Sequence, residues 1–154
     1  MTITILRDVL IARDELDRYY EGHVPVNLWR AMNMAKGGQL FEFVEEAFML
    51  SNGRPRPADI AIESRHGVKW VLVKDRPRGV STFDKSGVPR GRDWAYFRIP
   101  AGTVLPTGLA VIRDEFNSRF QATHYTIAPA SDMPLLEFKK LLDQLAARVT
   151  REAM

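Results

Sequence analysis

Between Arg119 and Pro129 the chain reads RFQATHYTIAP, and four residues there could do chemistry. His124 can serve as acid, base or donor, and Gln121 can orient a ribose hydroxyl. Tyr125 can stack on a planar ring, and Thr123 adds a further polar group. Apolar and polar residues nearly alternate here, which predicts a half-buried strand. A purely structural strand has no use for this set, although a lone histidine on a sheet is usually a satisfied one.

Two further stretches carry usable groups. In RGVSTFDKSG, Gly79 permits close approach of another group. Ser81 and Thr82 offer hydroxyls beside Phe83, a set suited to bonding a carboxamide while a ring stacks on its plane. Ordinary β-propensity explains the same letters. In NLWRAM, Arg30 interrupts an apolar run. Its guanidinium could grip a phosphate through two parallel hydrogen bonds, or pair with a carboxylate, or lie on the solvent face.

Other chemistries lack their residues. The 154-residue chain contains no cysteine, which excludes disulfides, thiolate zinc sites and a cysteine nucleophile. His23, His66 and His124 are widely separated and show no metal-ligand spacing, so no metal is expected. Neither a phosphate-binding glycine loop nor a G-x-S-x-G elbow occurs. Arg7 and Asp8 interrupt the first apolar residues, so no secretory signal and no membrane association are expected. Action in a cytosol is expected, with any export using a route that reads no N-terminal signal.

The elements that must position these residues can be read from periodicity. With 45% hydrophobic and 27% charged residues, the chain suits one globular domain spanning 1–154. The segment before Tyr20 reads as helical through Leu6, Val9, Leu10, Leu16 and Tyr19. VPVNLWRAM reads as a strand, and LFEFVEEAFML as a helix through Leu40, Phe41, Val44, Ala47 and Phe48. SNGRPRP reads as a loop. ADIAIES and VKWVLVK form a hairpin about His66-Gly67; GVSTF, DWAYFRIP and LAVIRDEF add strands. A final helix follows Pro134 through Leu135, Phe138, Leu142, Leu145 and Val149. The class is α+β, a mixed or antiparallel sheet with flanking helices.

Net charge is +3, and it is concentrated. From Lys74 to Arg92, six cations (Lys74, Arg76, Arg78, Lys85, Arg90, Arg92) against two anions (Asp75, Asp84) leave a surplus of four. Such a segment attracts phosphates, acidic proteins or nucleic acid, or simply stays solvated.

In order, the three stretches resemble the mono-ADP-ribosyltransferase toxin pattern. STFDKSGVPRG, FRIPAGTVLPTGL and DEFNSRFQATHYTIAPA resemble more specifically a family of growth-arresting effectors of the type VI secretion system. The resemblance covers about Ser81 to Pro134, and LWRAM in the first half. It implies an ADP-ribosyltransferase-like fold, NAD as substrate and a cognate immunity protein. Arg30 would anchor the NAD phosphates, and Ser81 would line the nicotinamide pocket. Thr82 is its neighbour in that strand, Phe83 and Tyr125 would contact the nucleotide, and His124 and Gln121 would act with Ser81 in catalysis. Replacing Arg30 or His124 by alanine is expected to abolish toxicity with the fold intact.

One departure from better-known ADP-ribosyltransferases concerns a glutamate that follows a Gln or Glu by two residues. Here Thr123 stands at that place. Nicotinamide–ribose cleavage builds positive charge on the sugar, for which a carboxylate is the natural stabiliser. Asp114 or Glu115, ahead of the late strand, could fold back to supply one. The expectations are therefore a mono-ADP-ribosyltransferase or NAD glycohydrolase with an unidentified cytosolic acceptor. Against them stands a non-catalytic toxin that captures a partner through a degenerate cleft. A nucleic-acid-binding enzyme, marked by steep salt dependence, is a third reading. A small acidic immunity protein would cover the cleft or the Lys74–Arg92 segment, in a secreted effector or in an intracellular toxin–antitoxin pair.

Overall fold

The computed structural model describes residues 2–33, 40–41, 48–49, 55–56, 58–88 and 94–151. Helix α1 spans Leu6–Ala12 and a 3-10 turn spans Leu16–Arg18. Strands follow at β1 (Tyr19–Tyr20), β2 (Leu28–Asn33), β3 (Phe48–Met49), β4 (Pro55–Arg56), β5 (Ala61–Arg65) and β6 (Val68–Leu72). Then come β7 (Val80–Phe83), β8 (Trp94–Ile99), β9 (Leu109–Asn117), β10 (Ala122–Pro129) and β11 (Met133–Pro134). Helix α2 (Leu135–Ala146) and β12 (Thr150–Arg151) end the described chain. A seven-stranded sheet runs β1-β9-β10-β7-β2-β8-β12, a second runs β11-β6-β5, and β3 pairs with β4. Every pairing among these strands is antiparallel. The class is α+β with antiparallel sheets.

The β5–β6 hairpin forms where alternation predicts it. His66 (φ 52°) and Gly67 (φ 78°) both take left-handed backbone at the turn, the conformation that matches the twist of two paired strands. The N-terminal segment is less regular than its periodicity implies. Asp14, at φ 58°, ends the first helix, and Tyr19 enters the sheet as an edge strand instead of extending a helical face. The helix expected over LFEFVEEAFML lies largely outside the described residues. Leu40 and Phe41 stand in a turn, while Phe48–Met49, expected as helix, are extended and pair antiparallel with Pro55–Arg56 of the expected loop. Val149 lies beyond the end of α2.

The seven-stranded sheet is covered on two faces, for reasons visible in the strand period. Leu28, Val80, Ile99, Val111, Tyr125 and Ile127 point one way and share a core with Phe138, Leu142 and Leu145 of α2. Each such fully buried side chain stabilises the fold by about 1.5–3 kcal/mol before entropy is counted. Ala110, Ile112 and Ala128 point the other way, beneath Leu6 and Leu10 of α1. Asp132 fastens that helix. Its carboxylate accepts the Thr4 N–H (3.0 Å) and the Val73 N–H (2.8 Å), while the Leu6 N–H reaches the Ala130 carbonyl (2.9 Å). Among the described residues, no helix is long and apolar enough to cross a membrane.

Candidate active site

The α1-covered face also carries the polar residues. On β10, His124 and Thr126 alternate with Tyr125 and Ile127, so they share the face of Ala128. β7 pairs with β10 in a register that sets Ser81 opposite Thr126 and Phe83 opposite His124. Gly79 lets the two strands come together ahead of this point. A Cβ there would lie 2.1 Å from the Ile127 carbonyl oxygen, so the close neighbour of this glycine is the β10 backbone. On β9, Asp114 continues the row of Ala110 and Ile112.

These placements bring three side chains into one line. Ser81 Oγ lies 2.6 Å from His124 Nε2, and His124 Nδ1 lies 2.7 Å from Asp114 Oδ2. Thr126 Oγ1 donates to the same Asp114 oxygen at 2.5 Å. Arg18 approaches Asp114 Oδ1 at 3.4 Å, donates to the Arg113 carbonyl at 2.6 Å, and pairs with Glu15. A carboxylate only accepts, so Nδ1 of a neutral His124 carries the ring proton. Nε2 is then an acceptor, and the Ser81 hydroxyl donates to it. The Phe83 ring meets the imidazole edge-on, with centroids 5.2 Å apart.

His124, Asp114 and Phe83 open onto a cleft of about 570 Å³, bordered also by Arg13, Arg76 and Glu115. That volume lies in the range of small-molecule sites, about 300–1,000 Å³. Arg76 is exposed, whereas Arg13 is tied to Glu15 (2.8 Å) and to the Asp75 carbonyl (2.7 Å). Among the described cations of the Lys74–Arg92 segment, Arg76 therefore stands at this cleft. Arg90 and Arg92 of that segment lie outside the described residues.

The other residues singled out in the sequence lie apart from this line. Thr82 is fully buried on the opposite face and donates to the Tyr125 carbonyl (2.9 Å). Tyr125 is buried in the α2 core, where burial pushes its hydroxyl above the usual tyrosine range. Arg30 shares the Leu28 face of β2. It donates to the Ser81 carbonyl (3.1 Å) and to Asp59 (3.2 Å), so it supports the serine from behind the sheet. Gln121 precedes β10 in a tight turn at φ 52°, exposed, with its amide bonded to the Ser118 carbonyl (2.7 Å).

Asp114 lies within the strand beside β10, not ahead of it, and both of its oxygens are engaged. Thr126 and Arg18 join the line without having been singled out. Thr126 carries a readable signal, since it stands two residues from His124 and so on the same strand face. Arg18 carries none, because a 3-10 turn delivers it from almost a hundred residues away.

Comparison with known proteins bears on what this geometry serves. Residues 4–154 match the family model described as Tse2 ADP-ribosyltransferase toxin. The Pseudomonas aeruginosa protein named Toxin Tse2 is 36% identical over 116 residues, which cover 74% of this chain and 70% of that relative. A match over nearly the whole chain is far broader than the motifs alone, and the chain belongs to the Tse2 ADP-ribosyltransferase toxin family.

Proposed function

We propose that this toxin cleaves the nicotinamide–ribose bond of NAD at the cleft lined by His124, beside Ser81, in the cytosol of a target cell reached by type VI secretion. The ADP-ribosyl group passes to a cytosolic acceptor or to water. The fold of this reading is ADP-ribosyltransferase-like, with the cleft on the α1 side of the seven-stranded sheet. The observation that carries it is the 2.6 Å contact between Ser81 Oγ and His124 Nε2, beside a cleft large enough for part of a dinucleotide. The Phe83 ring and the exposed Arg76 are the groups there suited to a planar ring and to a phosphate. Arg30 serves by holding the Ser81 backbone.

A toxin of this kind needs neutralising where it is made, and an acidic immunity protein that covers the cleft, with Arg76 at its rim, fits that need. The complex should weaken as salt rises. The decisive experiment is calorimetric titration with NAD, joined to an assay for released nicotinamide, in wild type and His124→Ala. Binding and release in wild type, both lost in the folded variant, support the reading. Folded wild type that neither binds NAD nor releases nicotinamide sinks it, and points to a toxin that acts by capturing a partner.

A further inference from the structure

The ribose-gripping glutamate of better-known ADP-ribosyltransferases has no counterpart at Thr123, yet a carboxylate does reach this site. We infer that Asp114 is a positioning residue that acts through His124. It fixes the imidazole as the Nδ1–H tautomer and thereby makes Ser81 Oγ a hydrogen-bond acceptor for substrate instead of a donor. The inference rests on the NAD-cleaving reading for its chemistry, but not for its geometry.

Asp114 is poorly placed to grip a sugar directly. Oδ2 accepts from both His124 Nδ1 (2.7 Å) and Thr126 Oγ1 (2.5 Å), and Oδ1 faces the Arg18 guanidinium (3.4 Å). Those contacts come from β10 and from the Leu16–Arg18 turn, while the aspartate itself stands on β9. A carboxylate held from several directions is an orienting group, as in any relay where an acid fixes a histidine. The consequence travels outward one bond at a time. With the ring proton on Nδ1, Nε2 must accept, and the Ser81 proton is committed to it. Ser81 Oγ then has only lone pairs left to offer. Such an oxygen recognises a donor, for example a carboxamide NH₂ or a ribose hydroxyl, and disfavours a carboxylate at the same place. With the opposite tautomer, Nε2–H would donate to Ser81 and free its hydroxyl proton, reversing that preference.

The test combines ¹⁵N NMR of the imidazole with kinetics of nicotinamide release, in wild type, Asp114→Asn and Thr126→Val. Wild-type His124 should show the Nδ1–H pattern without any ligand. Asp114→Asn should shift it toward Nε2–H and lower kcat/KM by roughly 10–100-fold, largely through a raised KM, because a Ser81 donor then meets a substrate donor. Thr126→Val removes one restraint on the carboxylate and should produce a smaller change in the same direction. A wild-type His124 in the Nε2–H form overturns the inference whether or not any variant folds. So does a folded Asp114→Asn protein that switches tautomer yet keeps wild-type kcat/KM. A wild type that shows Nδ1–H and an Asp114-dependent switch, but releases no nicotinamide, upholds the relay and defeats only the NAD reading.

Discussion

Arg30 and Asp59 form a buried ion pair, Nη2 to Oδ2 at 3.2 Å, with each side chain only 6% exposed. The arginine also donates to the Ser81 carbonyl, so it joins β2 to the strand that bears the site's serine. An arginine anchoring an incoming phosphate would have to leave this partner. Removing one member of a buried pair strands the other as an uncompensated charge, which typically costs about 3–5 kcal/mol. Arg30→Ala is therefore expected to lower stability by about that amount, contrary to the expectation of an intact fold. Urea denaturation decides the matter. A shift in midpoint equivalent to less than about 1 kcal/mol would show that Asp59 finds another partner or that the site relaxes.

Gly79 supports the same serine through a different restraint. Its missing side chain is what allows the β7 and β10 backbones to close, since an added Cβ would sit 2.1 Å from the Ile127 oxygen and 2.8 Å from its carbonyl carbon. Backbone cannot swing aside as a flexible side chain does. Gly79→Ala should destabilise the protein by about 1–3 kcal/mol or more, the usual range for overpacking. It should also lengthen the Ser81–His124 contact and depress growth arrest. Full toxicity from a Gly79→Ala protein of unchanged stability would mean that the two strands slide apart without cost.

Much of this arrangement could be read from sequence because it follows from alternation. The 80–83, 94–99, 109–117 and 122–129 strands were all visible as β-rich runs, and the face shared by His124 and Thr126 follows from a spacing of two. Register was not visible. β9 and β10 pair with an irregularity between Thr123 and Tyr125, so counting back from the turn does not identify Asp114 as the partner of His124. Nor does sequence say which way Arg30 points. An arginine in an apolar strand fits a phosphate or a buried aspartate equally well, and Asp59 lies in a loop with no pattern of its own. Gln121 is a related case: it sits in the motif letter by letter, but the strand begins one residue later.

Tyr19, on the edge strand β1, gives the fold a pH limit at the alkaline end. Burial, followed by the hydrogen bond to Glu21 (3.1 Å), raises its ionisation to about 12. In the unfolded chain a tyrosine ionises near pH 10. Below that value Tyr19 is neutral in both states and contributes no pH dependence. Between about 10 and 12 the unfolded state loses a proton that the folded state keeps, so stability falls as pH rises. Tyr125, raised by burial, acts in the same direction. Melting temperature should therefore decline more steeply above pH 10 in wild type than in Tyr19→Phe. Parallel curves for the two proteins would rule out Tyr19 as the source.

Gln121 and Thr126 make the sharpest contrast between a position in a motif and a position in space. Gln121 holds left-handed backbone at φ 52°, and its amide is spent on the Ser118 carbonyl. Glycine adopts that conformation freely, a gain of up to about 1 kcal/mol, which the lost side-chain bond offsets. Gln121→Gly should thus leave stability within about 1 kcal/mol of wild type and leave growth arrest unaltered. Thr126→Val keeps the shape of the side chain but deletes the hydroxyl bound to Asp114, and should weaken growth arrest in a protein that still folds. Both variants can be scored for arrest at matched expression in a sensitive strain. If Gln121→Gly loses toxicity while Thr126→Val keeps it, the turn acts on substrate and the β10 face does not, and the site must be moved toward the strand's beginning.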